Sequence, residues 1–364
     1  MIQNGIQPNP HNKLQFQYRA LVCFMLLFFV GTAGLIAQVI DRPLARVRLT
    51  TTTVITQRQV QSKIALLEQE LEVTLSRDQK MSLLNSEIDT ELIMQAAARA
   101  SVTATEQEIN QAINQQRQQL GLGPNVTEAM FRQIIEQQAG MSWAEYRETL
   151  RRRIIQEKFI VESNRAMLQA PFTPSESDIN RVYQENINQF LSPAFVRFEH
   201  LFIDTRNATP DQRTAKRQQM EGLLSQVRSG GVAAFTRLIQ ASVDDASFAG
   251  GDFGFLPRGE QTTTQLLGRS FIDQVFNLQE NTMSGILESN LGFHIVRITQ
   301  KREPRLLTMD DPVSPGGTLT VRQQISQFLQ AEALQERMAQ AVTATAQRLR
   351  NEADVQIFNQ NINW

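Results

Sequence analysis

From Gln57 to Ala166, apolar residues return every three or four positions. Ile64, Leu67, Leu71 and Leu75 form one such series, and Met81, Leu84, Ile88, Leu92 and Ala96 form another. That period predicts helices carrying a single apolar stripe. Thr105 with Glu108, and Ser142 with Glu145, predict two further helix starts, because hydroxyl and carboxylate each satisfy an orphan backbone N–H. The second of these helices runs through Trp143, Tyr146, Leu150, Ile154 and Phe159, while Gly121, Gly123 and Pro124 break the chain between helices. Before this region, Leu44–Leu49 alternates as a short strand. Arg151, Arg152 and Arg153 point in different directions on a helix and read as a solvated face. The Gln-rich stretch 110–119 reads the same way, with self-association as its alternative.

At Thr173 the pattern changes. Thr173-Pro174-Ser175-Glu176 predicts a capping box with proline at the first helical position. Its helix passes Ile179, Val182, Tyr183 and Phe190 and stops before Pro193. Ala194–Asp204 predicts a strand. Thr209-Pro210-Asp211-Gln212 opens a helix that ends at Ser229-Gly230-Gly231, and Phe235, Leu238 and Ile239 suit another short one. Ser247–Phe255, with three glycines, reads as a loop. A helix over Phe271–Asn277 then precedes a hairpin of Ser284–Leu287 and Phe293–Thr299 across Asn290-Leu291-Gly292. Strands and helices in this order predict a small α+β domain. Farther on, Thr320 and Gln323 cap a helix of about eight turns whose apolar side is Val321, Ile325, Phe328, Met338, Val342 and Leu349.

Length and charge narrow the function. A chain of 364 residues suits two domains. Its 36 lysines and arginines nearly balance 37 aspartates and glutamates, so no basic field favours nucleic acid. Lys13 and Arg19 precede an apolar run from Ala20 to Ala37. A basic leader, a short apolar stretch and small residues describe a secretory signal, and the alternative is an uncleaved membrane anchor over residues 20–37. Either predicts a protein working outside the cytoplasmic membrane. Cys23, the single cysteine, lies inside this run, so a cleaved product has neither thiol nor intrachain disulfide. The chain holds no Cys-x-x-Cys, His-Glu-x-x-His or phosphate-loop lysine motif. Gly250, Gly251 and Gly254 do not follow a strand and open a helix, as a dinucleotide fingerprint requires.

Four motifs then point to one family. Phe198-Glu199-His200-Leu201-Phe202-Ile203 resembles the opening strand of parvulin-type peptidyl-prolyl isomerases, and Ser242–Gly254 is similar to their central loop. Phe271–Leu278 resembles their pocket helix, and Gly292-Phe293-His294-Ile295-Val296 their closing strand. The flanking helical regions resemble SurA-like periplasmic chaperones, here with one parvulin repeat where relatives often carry two. The resemblance implies an α+β fold: a parvulin-like antiparallel sheet with surrounding helices, plus a mainly α-helical chaperone module built from N- and C-terminal segments. It implies a leader over 1–37, a helical region over 38–193, an isomerase domain over 194–303, and a C-terminal helix and strand over 304–364. The ending Leu349–Ile357 looks like the family's final strand, expected to pair near Leu44–Leu49.

By the same resemblance the polar cluster is His200, Asp244 and His294, with Asp245 taking the carboxylate role if the loop shifts by one residue. Leu267, Phe271 and Phe276 are the expected proline pocket, and Ser289 its polar neighbour. Leu291 stands where the family commonly has a small hydroxyl residue. The histidines are expected to support the site rather than move protons, and neither cofactor nor metal is implied. The implied partners are unfolded or extended polypeptides with X–Pro bonds, outer-membrane proteins among them, met in the periplasm or cell envelope. A chaperone whose parvulin domain only binds is the alternative.

Overall fold

The computed structural model describes residues 41–364 apart from 123–125 and 139–140. The leader with its signal or anchor, and the break at Gly123 and Pro124, lie outside the described residues. No helix among the described residues is long and apolar enough to cross a membrane.

Described residues fall into two units, one over 173–329 and the other over 41–172 with 330–364. The second unit opens with strands β1 (Pro43–Arg48) and β2 (Thr52–Thr56). Five longer helices follow: α1 (Gln57–Leu71), α2 (Arg77–Arg99), α3 (Glu106–Gln119), α4 (Glu128–Gln138) and α5 (Trp143–Ser163). The short α6 (Arg165–Leu168) comes next. Both expected boxes form, Thr105 with Glu108 on α3 and Ser142 with Glu145 on α5. The last strand, β9 (Asp354–Ile357), lies antiparallel on β1, with Val355 opposite Val47, so the sheet order is β2-β1-β9. Leu44, Val47, Leu84, Ile88, Leu92 and Leu349 are among its buried core residues. A second cluster joins Ile109, Ile113, Phe131, Tyr146 and Leu150.

One polar side chain organises the β1–β2 turn. Gln95 of α2 is buried, and its Oε1 accepts from the backbone N–H groups of Leu49 (2.9 Å), Thr50 (3.0 Å) and Thr51 (3.2 Å). Its Nε2 donates to Thr53 Oγ1 (3.2 Å) and Glu91 Oε1 (3.0 Å). Gln95→Ala is expected to cost about 2–3 kcal/mol, since three turn donors lose their acceptor. Urea denaturation followed through the fluorescence of Trp364, which packs on this core, checks it; an unchanged midpoint would refute the role.

The unit over 173–329 begins with α7 (Glu176–Glu185). This helix starts later than the Thr173 box implies. Ser175 is the N-cap, its Oγ accepting from Asp178 N–H at 3.2 Å, so Thr173 and Pro174 precede the helix. The serine is the cap because it stands immediately before the first residue with helical geometry. A 3-10 turn over Ile187–Phe190 leads into β3 (Leu191–Ser192), which pairs with β8 (Arg305–Leu306). Then come β4 (Phe195–Asp204), α8 (Pro210–Ala241), β5 (Ala249–Pro257), α9 (Gln261–Leu267), α10 (Arg269–Asn277), β6 (Met283–Glu288) and β7 (Gly292–Arg302). Helix α8 changes direction at Gly231, whose backbone is not helical, where the sequence predicts one helix ending and another beginning.

The antiparallel sheet has the order β5-β4-β7-β6. One face packs on α10 through Val196, Phe198, Phe271 and Val275, the other on α8 through Leu201, Ile203, Leu224 and Phe235. The segment read as a loop over Ser247–Phe255 becomes strand from Ala249 onward. Its glycines serve the sheet instead of breaking it. A Cβ on Gly250 would lie 3.0–3.2 Å from Ser242 Oγ, the Ile239 backbone and Leu201, so glycine lets the end of α8 approach β5 closely.

The unit also extends beyond the 194–303 limits read from sequence. Tyr183 donates its hydroxyl proton to the Leu307 carbonyl at 2.7 Å. Ile179, Val182, Phe190, Leu307, Val321 and Ile325 share one core with it. The long helix α11 (Val321–Glu352) starts in this unit and continues beyond Leu329 in the other. Thr320 and Gln323 exchange the hydrogen bonds of its capping box.

Candidate functional site

Alternation along β4 puts Phe198, His200 and Phe202 on one face, and His294 of β7 lies opposite Phe202 in the register. The two histidine rings stack with centroids 5.3 Å apart and with Nδ1 atoms 3.1 Å apart. Phe202 stacks on His294 at 4.7 Å, and Phe271 of α10 tilts against the same ring at 4.6 Å. Ser289, just beyond β6, brings its Oγ within 2.7 Å of His294 Nε2. Aromatic rings therefore cover both histidines, and His294 is only 1% exposed.

The direction of this network follows from donors and acceptors. The backbone N–H groups of Leu291 (3.0 Å) and Gly292 (3.3 Å) donate to Ser289 Oγ. The serine proton then goes to His294 Nε2, far closer than the Gly292 carbonyl at 3.5 Å. That leaves the His294 proton on Nδ1, donated to His200 Nδ1, and so the His200 proton on Nε2. Burial supports the neutral forms by disfavouring imidazolium. It pushes His200 down to about 4. His294 falls to about 3 through burial and the neighbouring His200.

The other expected site residues are placed as follows. Leu267 and Phe271, each 1% exposed, line the core beside the histidines. Phe276 belongs to the same core, and its ring carries the Arg258 guanidinium at 5.1 Å. No ring contact joins Phe276 to the histidines among the described residues. Asp244 lies exposed in the turn after α8, and among the described residues its carboxylate makes no hydrogen bond or ion pair. Asp245 instead caps that turn, accepting from Ser247 N–H at 2.9 Å, which holds its carboxyl below the usual range. Leu291 sits half-buried on the pocket core, and Ser289 supplies the hydroxyl nearby.

Three aromatic residues were not among the expected site residues. Phe198 and Phe202 were legible in principle, since they flank His200 with the period of a strand. Phe253 was not. Its ring stacks on Phe198 at 4.5 Å and meets His200 edge-on at 5.7 Å, a placement that depends on an irregularity in strand pairing.

Two family models match the chain. Residues 174–311 match the PPIC-type PPIase domain, and residues 16–160 match the SurA-like N-terminal domain. Chaperone SurA of Nitrosococcus oceani is 27% identical over 214 residues, which is 58% of this chain and 46% of that protein. Chaperone SurA of Cupriavidus metallidurans is 27% identical over 277 residues, covering 73% and 52%. The chain thus spans about half the length of the curated relatives it matches. Among solved structures, a SurA-like chaperone of Campylobacter jejuni aligns at 11% identity over 88% of this chain and 100% of its own, with a TM-score of 0.34. The chain thus joins a SurA-like N-terminal domain to a PPIC-type PPIase domain, and in that combination it is similar to the SurA chaperones.

Proposed function

We propose that the unit over 173–329 catalyses cis–trans isomerisation of X–Pro bonds in exported polypeptides. The observation that carries this reading is the neutral His200–His294–Ser289 network lying under aromatic rings of β4, β5 and α10. The bond before proline exchanges over tens of seconds because rotation must break amide resonance. A planar amide carries a larger dipole than a twisted one, so surroundings of low polarity favour the twisted form. Phe253, half-buried over Phe198 and His200, is assigned the contact with the proline ring, backed by the core of Phe198, Phe271 and Leu267. The histidines hold the site rigid and present His200 Nε2–H without introducing a charge. No proton has to leave the protein. The exposed Asp244 carboxylate is assigned to the loop beside the substrate carbonyl, since Asp245 is committed to its turn.

The helical unit is assigned the chaperone role towards the same clients. A groove between α3 and α5 supports it: Ala112, Ile154 and Val161 offer apolar contact, with Gln111 and Gln115 beside them and Glu157, Lys158 and Arg165 among its charged lining. Glutamine amides both donate and accept hydrogen bonds, so they suit extended backbone of any sequence. Clients among outer-membrane proteins, a periplasmic or envelope location, and export or anchoring through residues 20–37 belong to the same proposal.

The full chain is expected to speed isomerisation of short proline peptides and to suppress aggregation of an unfolded client. Asp244→Ala is expected to lower kcat/KM roughly tenfold, equivalent to about 1.4 kcal/mol. Absent isomerisation with aggregation still suppressed would reject the enzyme reading in favour of a chaperone whose parvulin domain only binds.

A further inference from the structure

The pairing of β5 with β4 slips at one point. Phe198 pairs with Gly254 and Glu199 with Asp252, which leaves Phe253 as an extra residue. Such a bulge re-aims a side chain and recurs beside active sites. Here it turns the Phe253 ring flat onto Phe198, with an interplanar angle of 11°, and edge-on to His200 at 80°. Gly254 supplies the backbone this requires, with φ at +89°, a region that side chains disfavour.

The bulge is bracketed by its neighbour. Asp252 Oδ1 accepts from Gly254 N–H at 2.9 Å across Phe253. The same carboxylate takes the Arg197 guanidinium, whose Nε lies 3.0 Å from Oδ2. Arg197 in turn sits over the Phe255 ring at 5.1 Å, and Phe255 packs edge-on against Phe195 at 5.4 Å. One carboxylate therefore ties the residue after Phe253 to β4.

We propose that Asp252, clamped by Arg197, is a positioning residue that locks the bulge and so holds Phe253 against Phe198 and His200, where the isomerase reading puts the proline ring. The proposal rests on the isomerase reading for its kinetic consequence, and on geometry alone for its structural one. An exposed ion pair by itself stabilises little; here its effect is exerted on the rotamer and backbone of the residue beside it.

The test is made on the full chain with two readouts. NMR of the His200 ring protons reports the Phe253 ring current whether or not the protein turns over peptide. Phe253→Ala shifts these resonances, and Asp252→Ala is expected to shift them in the same direction. Asp252→Asn, which retains an oxygen acceptor for Gly254 N–H, is expected to lie between Asp252→Ala and the native chain. Native His200 resonances in Asp252→Ala would overturn the clamp. Should that variant fail to fold, Arg197→Gln frees the same carboxylate, and an unmoved His200 signal there would equally overturn it.

Kinetics give the second readout as a double-mutant cycle. Asp252→Ala is expected to lower kcat/KM about fivefold in the native background and to have little effect in Phe253→Ala. An equal loss in both backgrounds would overturn action through Phe253. A native chain without isomerase activity would refute the function instead, while the His200 resonances would still decide the clamp.

Discussion

Lowering the pH from 7 to 5 is expected to cost the unit over 173–329 about 4 kcal/mol, about 2 each from the buried His294 and the half-buried His200. His200 is held down to about 4 and His294 to about 3 by burial. In the unfolded chain both titrate near 6.5. Below that value the unfolded state binds more protons than the folded one, so stability falls with pH. Their contribution is complete above about 6.5 and is lost as the pH drops towards 4. Carboxylates held low by arginines, such as Asp204 beside Arg206 at about 2, act in the same direction but mainly below about pH 4. The histidines therefore dominate the window between 7 and 5. Hydrogen exchange in β4 and β7 at the two pH values measures the loss locally. The double variant His200→Gln, His294→Gln is expected to abolish most of the slope in that window, and a slope that survives would reject the buried neutral pair.

Phe271→Ala is expected to be the most damaging single change, costing about 3–5 kcal/mol. The ring is 1% exposed, touches His294 at 4.6 Å and meets Phe198 at 6.4 Å. Removing it opens a cavity between α10 and the sheet and admits water to the histidines. Phe271→Leu keeps most of the volume and is expected to cost about 1.5 kcal/mol. The pair separates packing from chemistry. If the ring also shapes the proline site, Phe271→Leu should raise KM while the fold persists at assay temperature. Chemical denaturation and peptide kinetics on the same samples check both, and native KM in Phe271→Leu would confine the ring to the core.

Much of the architecture was legible because it is written locally. The helical series from Ile64 to Ala96, the capping boxes at Thr105, Ser142, Thr209 and Thr320, and the break at Gly231 each depend on residues within a turn or two of one another. The family motifs named the histidines and Ser289 as candidates, and the fold brings these three side chains together as a network. Other features came from contacts distant in sequence. The glycine-rich segment became strand β5 because β4 was there to pair with it, against the local preference of its residues. The helix at Glu176 joined the unit over 173–329 because Tyr183 and Ile179 meet Leu307 and Val321, more than a hundred positions away. Phe253 reached the histidines through a slip in strand register, and a slip has no signature in the alternation of one strand. Caps and periodicity are properties of neighbours along the chain, whereas register, burial and the protonation of His200 and His294 arise only once distant segments exclude water together.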